Sequence, residues 1–576
     1  MRPRPFTSRP LMIGSLAATA LAATLASGGI GSETKPGPGD VFATSETCQA
    51  CHNNLAVEDG EDLSIGAAWR ATMMAHSSKD PYWRAGVRRE TIDHPSARAA
   101  IEDECSTCHL PMARFMRHMA GQEGLILPDS TDDPTALGGP LGEHAMDGVS
   151  CAMCHQITAE GLGEEESFVG GFRVDTSALP GEREILGPYD IARATTRVMS
   201  SASGFAPERA DHVQSSELCA TCHTLYTHAL DESGEEAGVL PEQVPYLEWL
   251  HGDNAAGKSD EKSCQTCHMK EAREPSPISS VVGKPREKMS RHSFRGGNFF
   301  VLKLIAANRL DLGSTAEGKD LDVSVRSTEE HLETRAARVS ILHEGTAIGD
   351  GKLTVRVAVD NLAGHKLPTA YPSRRAWIHL AVKDASGALV FESGAMEEDG
   401  SIAGNDNDDD PARFEPHHER IGASDQVQIY EAIMKTPAGE VTTGLLQATG
   451  YVKDNRITPK GFDKERADPD VAVHGEASGD PSFAGGRDEV VYSVDADPDR
   501  GPFEVTASVW YQPVGYRWAK NLEEYDADEP AAFTRMYGQM EAADTAVLLA
   551  RDAVVVERPV VVECPEPEPE EVEIGE

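Results

Sequence analysis

The sequence predicts an α+β chain of several domains, in which a mostly helical and loop-rich region precedes a β-sandwich-like domain. Five copies of a Cys-x-x-Cys-His pattern lie within residues 48–268, and the segments between them have helix-like or loop-like composition. From Lys352 onward, short segments of alternating apolar and polar residues are separated by Gly, Asp and Pro turns. About seven such strands are typical of two packed sheets.

The five repeats use ten of the 11 cysteines of the chain. Random placement of this composition gives ~0.007 matches to the spacing, so the repeats are not accidental. The pattern is the attachment signature of haem c, in which both thiols bond to the porphyrin and the histidine binds iron. Zinc knuckles or redox dithiols would leave the histidine after every pair unexplained. We therefore expect five covalently bound haem c groups, held by Cys48, Cys51 and His52; Cys105, Cys108 and His109; Cys151, Cys154 and His155; Cys219, Cys222 and His223; and Cys264, Cys267 and His268.

The N-terminus is typical of an export signal. Three arginines precede a short apolar run at residues 11–26, and small residues follow it. The run is shorter than the ~20 residues that a membrane span needs, which favours cleavage over a retained anchor. Haem c is attached outside the bacterial cytoplasm, so we expect a periplasmic or extracellular protein without a transmembrane segment after signal cleavage.

Changes in composition suggest the domain boundaries. The haem motifs recur about every 45 residues, which leaves no room for a separate protein core around each cofactor. We expect close haem packing, mostly α structure, long loops and almost no strand in that region. The expected segments are a signal peptide (1–31), a pentahaem domain (32–300), a connector (301–335), a β-sandwich-like domain (336–556) and a disordered acidic tail (557–576).

The charge balance limits the partners. The formal net charge is −42, which repels nucleic acid and anionic lipid surfaces. It favours basic redox proteins or a membrane complex that oxidises quinol, although acidity would also serve the solubility of an exported protein. The oligomeric state does not follow from the sequence.

The sixth iron ligand decides between electron transfer and catalysis. A second histidine saturates the iron, whereas an open face admits substrate. We expect distal ligands from five positions: two lie seven residues before a motif, two lie in Gly-containing loops and one lies on a helix. These are His144, His212, His292, His365 and His118. The other candidates are His76, His94, His228, His251 and His331.

Several other polar groups in the sequence point less specifically to a function. The run at residues 405–410 does not match an EF-hand, so we expect a solvated acidic loop rather than a calcium site. Arg374 and Arg375 could form an anion channel, and surface solvation explains them equally well. We expect structural roles for His417 and His418. Cys564 in the tail is either an inert thiol or a site of intermolecular disulfide formation.

Several of these stretches resemble one superfamily. MMAHSSKDPYW, DGVSCAMCHQI and SSELCATCHTLYT are similar to multihaem c-type cytochromes, which include the tetrahaem carrier of ammonia oxidisers, hydroxylamine oxidoreductase and pentahaem nitrite reductase. GHKLPTAYPSRRAW is similar to C-terminal regions attached to such cytochromes. The resemblance implies bis-histidine haems in close contact. The chain departs from the enzymes, because it has no Cys-x-x-Cys-Lys motif and has five motifs rather than eight.

These observations predict an exported pentahaem cytochrome that passes electrons by hopping between haems, with no catalytic residue. The axial ligands and the burial of each haem would set its redox potential and exclude water from it. One alternative is a reductase acting on a small nitrogen or sulfur compound at one open haem. A further alternative is a subunit of an extracellular cytochrome filament.

Overall fold

A computed structural model describes residues 41–56, 62–127, 141–179, 181–231 and 233–557. The expected export signal and the acidic tail after residue 557, including Cys564, lie outside the described residues. No helix in the described ranges is long and apolar enough to cross a membrane.

Short helices joined by long loops make up the first part of the chain. Several begin with proline at the first helical position, where its missing N–H costs nothing. Their bounds are α1 Ser45–Gln49, α2 Ile65–Arg70, α3 Pro81–Asp93, α4 Arg98–His109, α5 Pro111–Met119, α6 Gly142–Met146, α7 Cys151–Cys154, α8 Arg193–Ser203, α9 Ser216–Ala220, α10 Pro245–Leu250, α11 Cys264–His268 and α12 Phe299–Ala307.

This part also contains strands, so the expectation of almost none is wrong. Long connections between motifs pair with one another because their backbone polar groups need partners. One pair is parallel and two are antiparallel. The strands are β1 Arg183–Gly187 with β2 Phe205–Arg209, β3 Leu225–Leu230 with β4 Glu236–Gln243, and β5 Ser276–Pro277 with β6 Pro285–Arg286.

Sheets dominate the second part, as the alternating segments predict. A helix, α13 Gly318–Arg335, precedes them. The strands are β7 Ala337–Gly349, β8 Lys352–Asn361, β9 Arg375–Lys383, β10 Leu389–Ser393, β11 Arg420–Ile421, β12 Ile429–Tyr430, β13 Ala432–Lys435, β14 Val441–Thr442, β15 Gly450–Asp454, β16 Arg487–Asp495, β17 Phe503–Gln512 and β18 Val547–Val556. Four short helices interrupt them: α14 Asp406–Asp409, α15 Tyr516–Asn521, α16 Asp528–Tyr537 and α17 Ala542–Thr545.

Two sheets form the layers of the second part. One has the order β10-β9-β17-β18, with β12 also paired to β9, and the other has the order β11-β16-β8-β7. Alternate residues of these strands, such as Val355 and Val357 on β8 and Leu380 on β9, are fully buried in one core. A third sheet has the order β14-β13-β15.

Helices of the first part contribute to the same core. Every residue of α12 except Lys303 is apolar, and Phe299, Phe300 and Leu304 are fully buried in the cluster that contains the sheet residues. Tyr82 and Ala85 of α3 join this cluster. The helical and strand-rich parts therefore share buried surface, while the domain boundaries expected from composition stay predictions.

Candidate haem-binding sites

Each Cys-x-x-Cys-His motif lies on a helical turn. The histidine N–H donates to the carbonyl of the first cysteine in three motifs, for example from His223 to Cys219 at 2.9 Å. The other two motifs lie within α4 and α11. One turn places the two cysteines, three residues apart, on the same face. All ten motif thiols are free, as thioether attachment requires.

Backbone carbonyls orient four of the five motif histidines. The Nδ1 atom of His52 lies 2.5 Å from the Ile278 carbonyl oxygen, and that of His155 lies 2.5 Å from the Leu186 oxygen. His109 and His268 make the same contact at 2.8 and 2.5 Å. An imidazole that donates from Nδ1 leaves the Nε2 lone pair available to a metal. These carbonyls come from distant segments and had no sequence signature.

Burial favours the neutral form of His109, His155 and His268. Desolvation lowers the pKa of His109 and of His268 to about 4, and it also lowers the pKa of His155. Desolvation lowers the pKa of His292 to about 3. Only the neutral ring has a lone pair for a metal, so the sites have the protonation state that coordination needs.

Thiols from different motifs lie next to one another. Cys48 and Cys151 are close enough to shift each other's pKa, as are Cys219 and Cys264, and Cys108 raises the pKa of Cys222. Cys154 of the third motif is also close enough to raise the pKa of both thiols of the fourth motif. The motifs therefore form a continuous set, in which the first adjoins the third, the third adjoins the fourth, and the fourth adjoins the second and fifth.

Two distal candidates face a motif histidine at the separation that iron requires. The ring centroids of His155 and His292 are 6.2 Å apart with an angle of 26° between their planes. Those of His268 and His365 are 6.2 Å apart with an angle of 14°. Two metal–nitrogen bonds of ~2 Å, plus ~1 Å from each nitrogen to its ring centre, give ~6 Å. Both pairs leave space for one iron.

His331 on α13 lies near the fifth motif as well. Its ring centroid is 6.1 Å from that of His268, but the planes are inclined at 54°. The sequence placed His331 among the other candidates and not among the five expected distal ligands. At the second motif, the ring of Trp83 stacks on that of His109 with 4.1 Å between the ring centroids, a contact that no sequence pattern predicted.

The other three chosen histidines do not face a motif histidine, and their assignment as ligands stays a prediction. His118 is exposed and its Nε2 lies 2.6 Å from an Asp103 carboxylate oxygen. The Nε2 atoms of His144 and His212 lie 3.2 and 2.8 Å from backbone carbonyl oxygens. Among the remaining candidates, the Nε2 atom of His94 is buried and has no hydrogen-bond partner among the described residues.

A buried ion network holds the loop that carries His365. Lys366 Nζ lies 2.7 Å from Asp454 Oδ2, and the Lys366 N–H donates to Glu248 on α10. Arg456 donates to both carboxylates, at 2.7 and 3.0 Å. The network ties the strand-rich part to the helix before the fifth motif, which places His365 opposite His268.

The two adjacent arginines do not form a free cationic pair. Arg375 is buried and its Nη1 lies 2.7 Å from Asp408 Oδ1. Arg374 donates to the Thr369 carbonyl oxygen at 3.0 Å. Because Asp408 is buried on α14, the expectation of a fully solvated acidic loop at residues 405–410 is wrong there. The carboxylate neutralises Arg375 and removes it from an anion channel.

A second buried cluster contains His417, Asp480 and Asp488, whose potential ligand atoms lie within 4.8 Å of one another. Gln428 Nε2 lies 2.7 Å from His417 Nδ1, while the Gln428 oxygen accepts the His418 N–H. His417 Nδ1 is therefore an acceptor, and Nε2 donates to Asp480 at 3.1 Å. A metal would need the Nε2 lone pair, so this cluster is a hydrogen-bond network that supports a structural role.

The fold of the chain has a counterpart among solved structures. The chain is similar to the penta-heme cytochrome c552 from Thermochromatium tepidum, with a TM-score of 0.50 and 16% identity over 89% of this chain and 99% of that chain. The two proteins share a fold. No protein-family model and no curated protein matches this sequence.

Proposed function

We propose that this protein is an exported, periplasmic or extracellular, pentahaem c-type cytochrome that carries electrons between redox partners. The observation that carries the proposal is the separation of 6.2 Å within both the His155–His292 and the His268–His365 pair, inside a set of adjoining motifs. Bound haem would supply one-electron redox chemistry. The chain's residues would attach it, hold both imidazoles neutral and exclude water.

Buried cations support the fit to haem. The Nε atoms of Arg84 and Arg295 are buried and have no hydrogen-bond partner in the part of the chain that the structure describes. A buried guanidinium N–H without an acceptor is costly, and a carboxylate is its strongest partner. Haem carries two propionates, which would satisfy such groups. The proposal also agrees with the penta-heme content of the structurally similar cytochrome.

The electron-carrier role is favoured over a reductase. A reductase acting on an anion would need free positive charge beside an open iron, and Arg375 is already neutralised by Asp408. Each of the two histidine pairs described above would saturate its iron. Both observations support haems that exchange electrons without binding substrate.

Spectroscopy of the purified protein tests the proposal. We expect a pyridine haemochrome assay to give five haems per chain, and EPR spectra to contain low-spin signals that nitrite, hydroxylamine and cyanide leave unchanged. A high-spin signal that shifts on adding any of these ligands would favour the reductase. A haem content near zero would refute haem binding itself.

A further inference from the structure

A short antiparallel ribbon follows the fifth motif. Backbone hydrogen bonds join the Arg291 N–H to the Lys270 carbonyl and the Ala272 N–H to the Met289 carbonyl, and β5 pairs with β6 further along. We call residues 270–291 the basic ribbon. Tyr189 braces one side, since its hydroxyl donates to the carbonyl oxygens of Glu287 and Lys288. The ribbon is therefore a built surface feature rather than a free loop.

The tip of the basic ribbon lies against the first motif. The Ser280 N–H donates to the Cys51 carbonyl oxygen at 2.8 Å, and His52 Nδ1 lies 2.5 Å from the Ile278 carbonyl oxygen. The ribbon begins two residues after His268 of the fifth motif and ends next to His292. Cys267, beside its start, is the one exposed thiol among the ten motif cysteines that the structure describes. The ribbon therefore lies beside both the first and the fifth motif.

The charge of this segment opposes that of the whole chain. Residues 262–295 contain eight Lys or Arg residues and three Glu residues, whereas the chain has 53 Lys and Arg against 95 Asp and Glu. Four cations of the ribbon, Lys270, Arg273, Lys284 and Lys288, are exposed. None of the four lies within ion-pair distance of a carboxylate in the described ranges. Their positive charge is thus available to another molecule.

Exposed apolar side chains lie at the tip of the ribbon, next to Lys284 in the sequence. Val281 is 44% exposed and Val282 is 63% exposed at the ribbon tip. Val282 has a φ of 54°, a conformation that is rare for a β-branched residue. Small transient redox interfaces commonly have a compact apolar centre and a charged rim. The tip combines two exposed valines with the exposed Lys284 next to a candidate haem site.

We propose that the basic ribbon is the docking surface for an acidic electron-transfer protein, with Val281 and Val282 forming an apolar tip. The proposal rests on the proposed function, because it assumes haem at the first and fifth motifs. It differs from the expectation of a basic partner that net charge alone suggests. Local charge at the point of contact governs association when the Debye length is about 8 Å, far less than the size of the molecule.

Complex formation tests the docking surface without relying on electron transfer. The probe is an oxidised, acidic plant-type [2Fe–2S] ferredoxin, titrated into the haem-loaded full chain by calorimetry at several salt concentrations. We expect affinity to fall as salt rises. If the net charge of −42 governed the encounter, affinity would instead rise with salt, and that result would overturn the proposal.

Charge reversal locates the surface. We expect Lys284→Glu combined with Lys288→Glu to weaken ferredoxin binding about tenfold and to abolish its salt dependence. The matched control is Lys352→Glu combined with Lys383→Glu, two exposed lysines on β8 and β9, which should leave binding unchanged. Equal binding by both double variants would overturn the proposal.

A separate substitution tests the apolar tip of the ribbon. Val282→Gly suits the positive φ and should fold normally, yet it removes exposed apolar surface. We expect weaker binding with the same salt dependence, and unchanged affinity would contradict the role of the tip. Light scattering that showed salt-sensitive self-association through the ribbon would assign the surface to a second copy instead. Haem content measured on each sample separates failure of docking from failure of haem binding.

Discussion

At the scale of single residues, the distance between paired histidines carries most of the functional information. The ring centroid of His292 lies 6.2 Å from that of His155, and the ring centroid of His365 lies 6.2 Å from that of His268. Both His292 and His365 donate through Nδ1 to a nearby backbone carbonyl. This leaves the Nε2 atoms of both partners for one metal. The sequence placed both residues among five preferred positions for distal ligands, but it could not tell them from His118, His144 and His212, because their partners are remote in the chain.

Replacing one distal histidine should change one haem. We expect His292→Ala to convert a single haem to the high-spin state, visible as a new EPR signal that accounts for about one fifth of the iron. The control is His418→Ala, since His418 is bonded to Glu415 at 2.6 Å and faces no motif histidine. An unchanged low-spin spectrum in His292→Ala would exclude this residue as a ligand.

A buried carboxyl group should make stability depend on pH. Burial raises the pKa of Glu242 to about 7, and Glu104 and Glu90 add repulsion. The folded state therefore holds a proton that the unfolded state releases near its ordinary pKa of about 4, so the stabilising contribution of Glu242 is present below pH 4 and is lost as pH rises to 7. We expect Glu242→Gln to raise the melting temperature more at pH 8 than at pH 5.

The comparison for Glu242 is Glu235→Gln, an exposed position immediately before the same strand. This change should shift the melting temperature equally at both pH values. A Glu242→Gln variant with the same small shift at pH 5 and pH 8 would show that the carboxyl group is ionised in the folded protein.

At the scale of elements, the loop between β8 and β9 links the two parts of the chain. Lys366 is fully buried, and its ammonium group is paired with Asp454, which also accepts from Arg456. Such a network is stable only when every member is paired. The Gly/Pro-rich sequence predicts a loop here. It does not predict the partners of Lys366, because Glu248 on α10 and Asp454 on β15 are more than 80 residues away in the chain.

Breaking this network should release the His365 loop. We expect Lys366→Met to destabilise the protein by ~3–5 kcal/mol in denaturant unfolding, because Asp454 loses one of its buried cations. The same variant should show partial loss of one low-spin haem signal. The control Lys352→Met removes an exposed pair with Asp495 and should cost ~0–1 kcal/mol. A similar cost for both variants would refute the importance of the buried network.

At the scale of the whole molecule, the buried core extends across both parts. Phe300 of α12 is fully buried in the cluster that includes Val357 of β8 and Val505 of β17. A shared core predicts that the motif-bearing and strand-rich parts lose structure together. Composition alone suggested separate domains, because it cannot show which apolar faces meet.

Truncating this shared core tests its cooperativity. We expect Phe300→Ala to cost ~3–5 kcal/mol and to shift the Soret absorption and the far-UV circular dichroism transitions equally. Leu310→Ala, at a residue that is 77% exposed, should shift neither. Two separate transitions in the Phe300→Ala variant would show that the parts unfold independently.

The sequence by itself determined the five Cys-x-x-Cys-His motifs with their ten thiols, the candidate histidines and the strand-rich second part. These features follow from local spacing and periodicity, which the chain carries without long-range contacts. Only the tertiary structure decided that His292 and His365 face motif histidines, that Asp408 neutralises Arg375, and that a basic ribbon lies against the first motif. Each depends on groups brought together from distant segments, where distance and burial rather than residue type determine the chemistry.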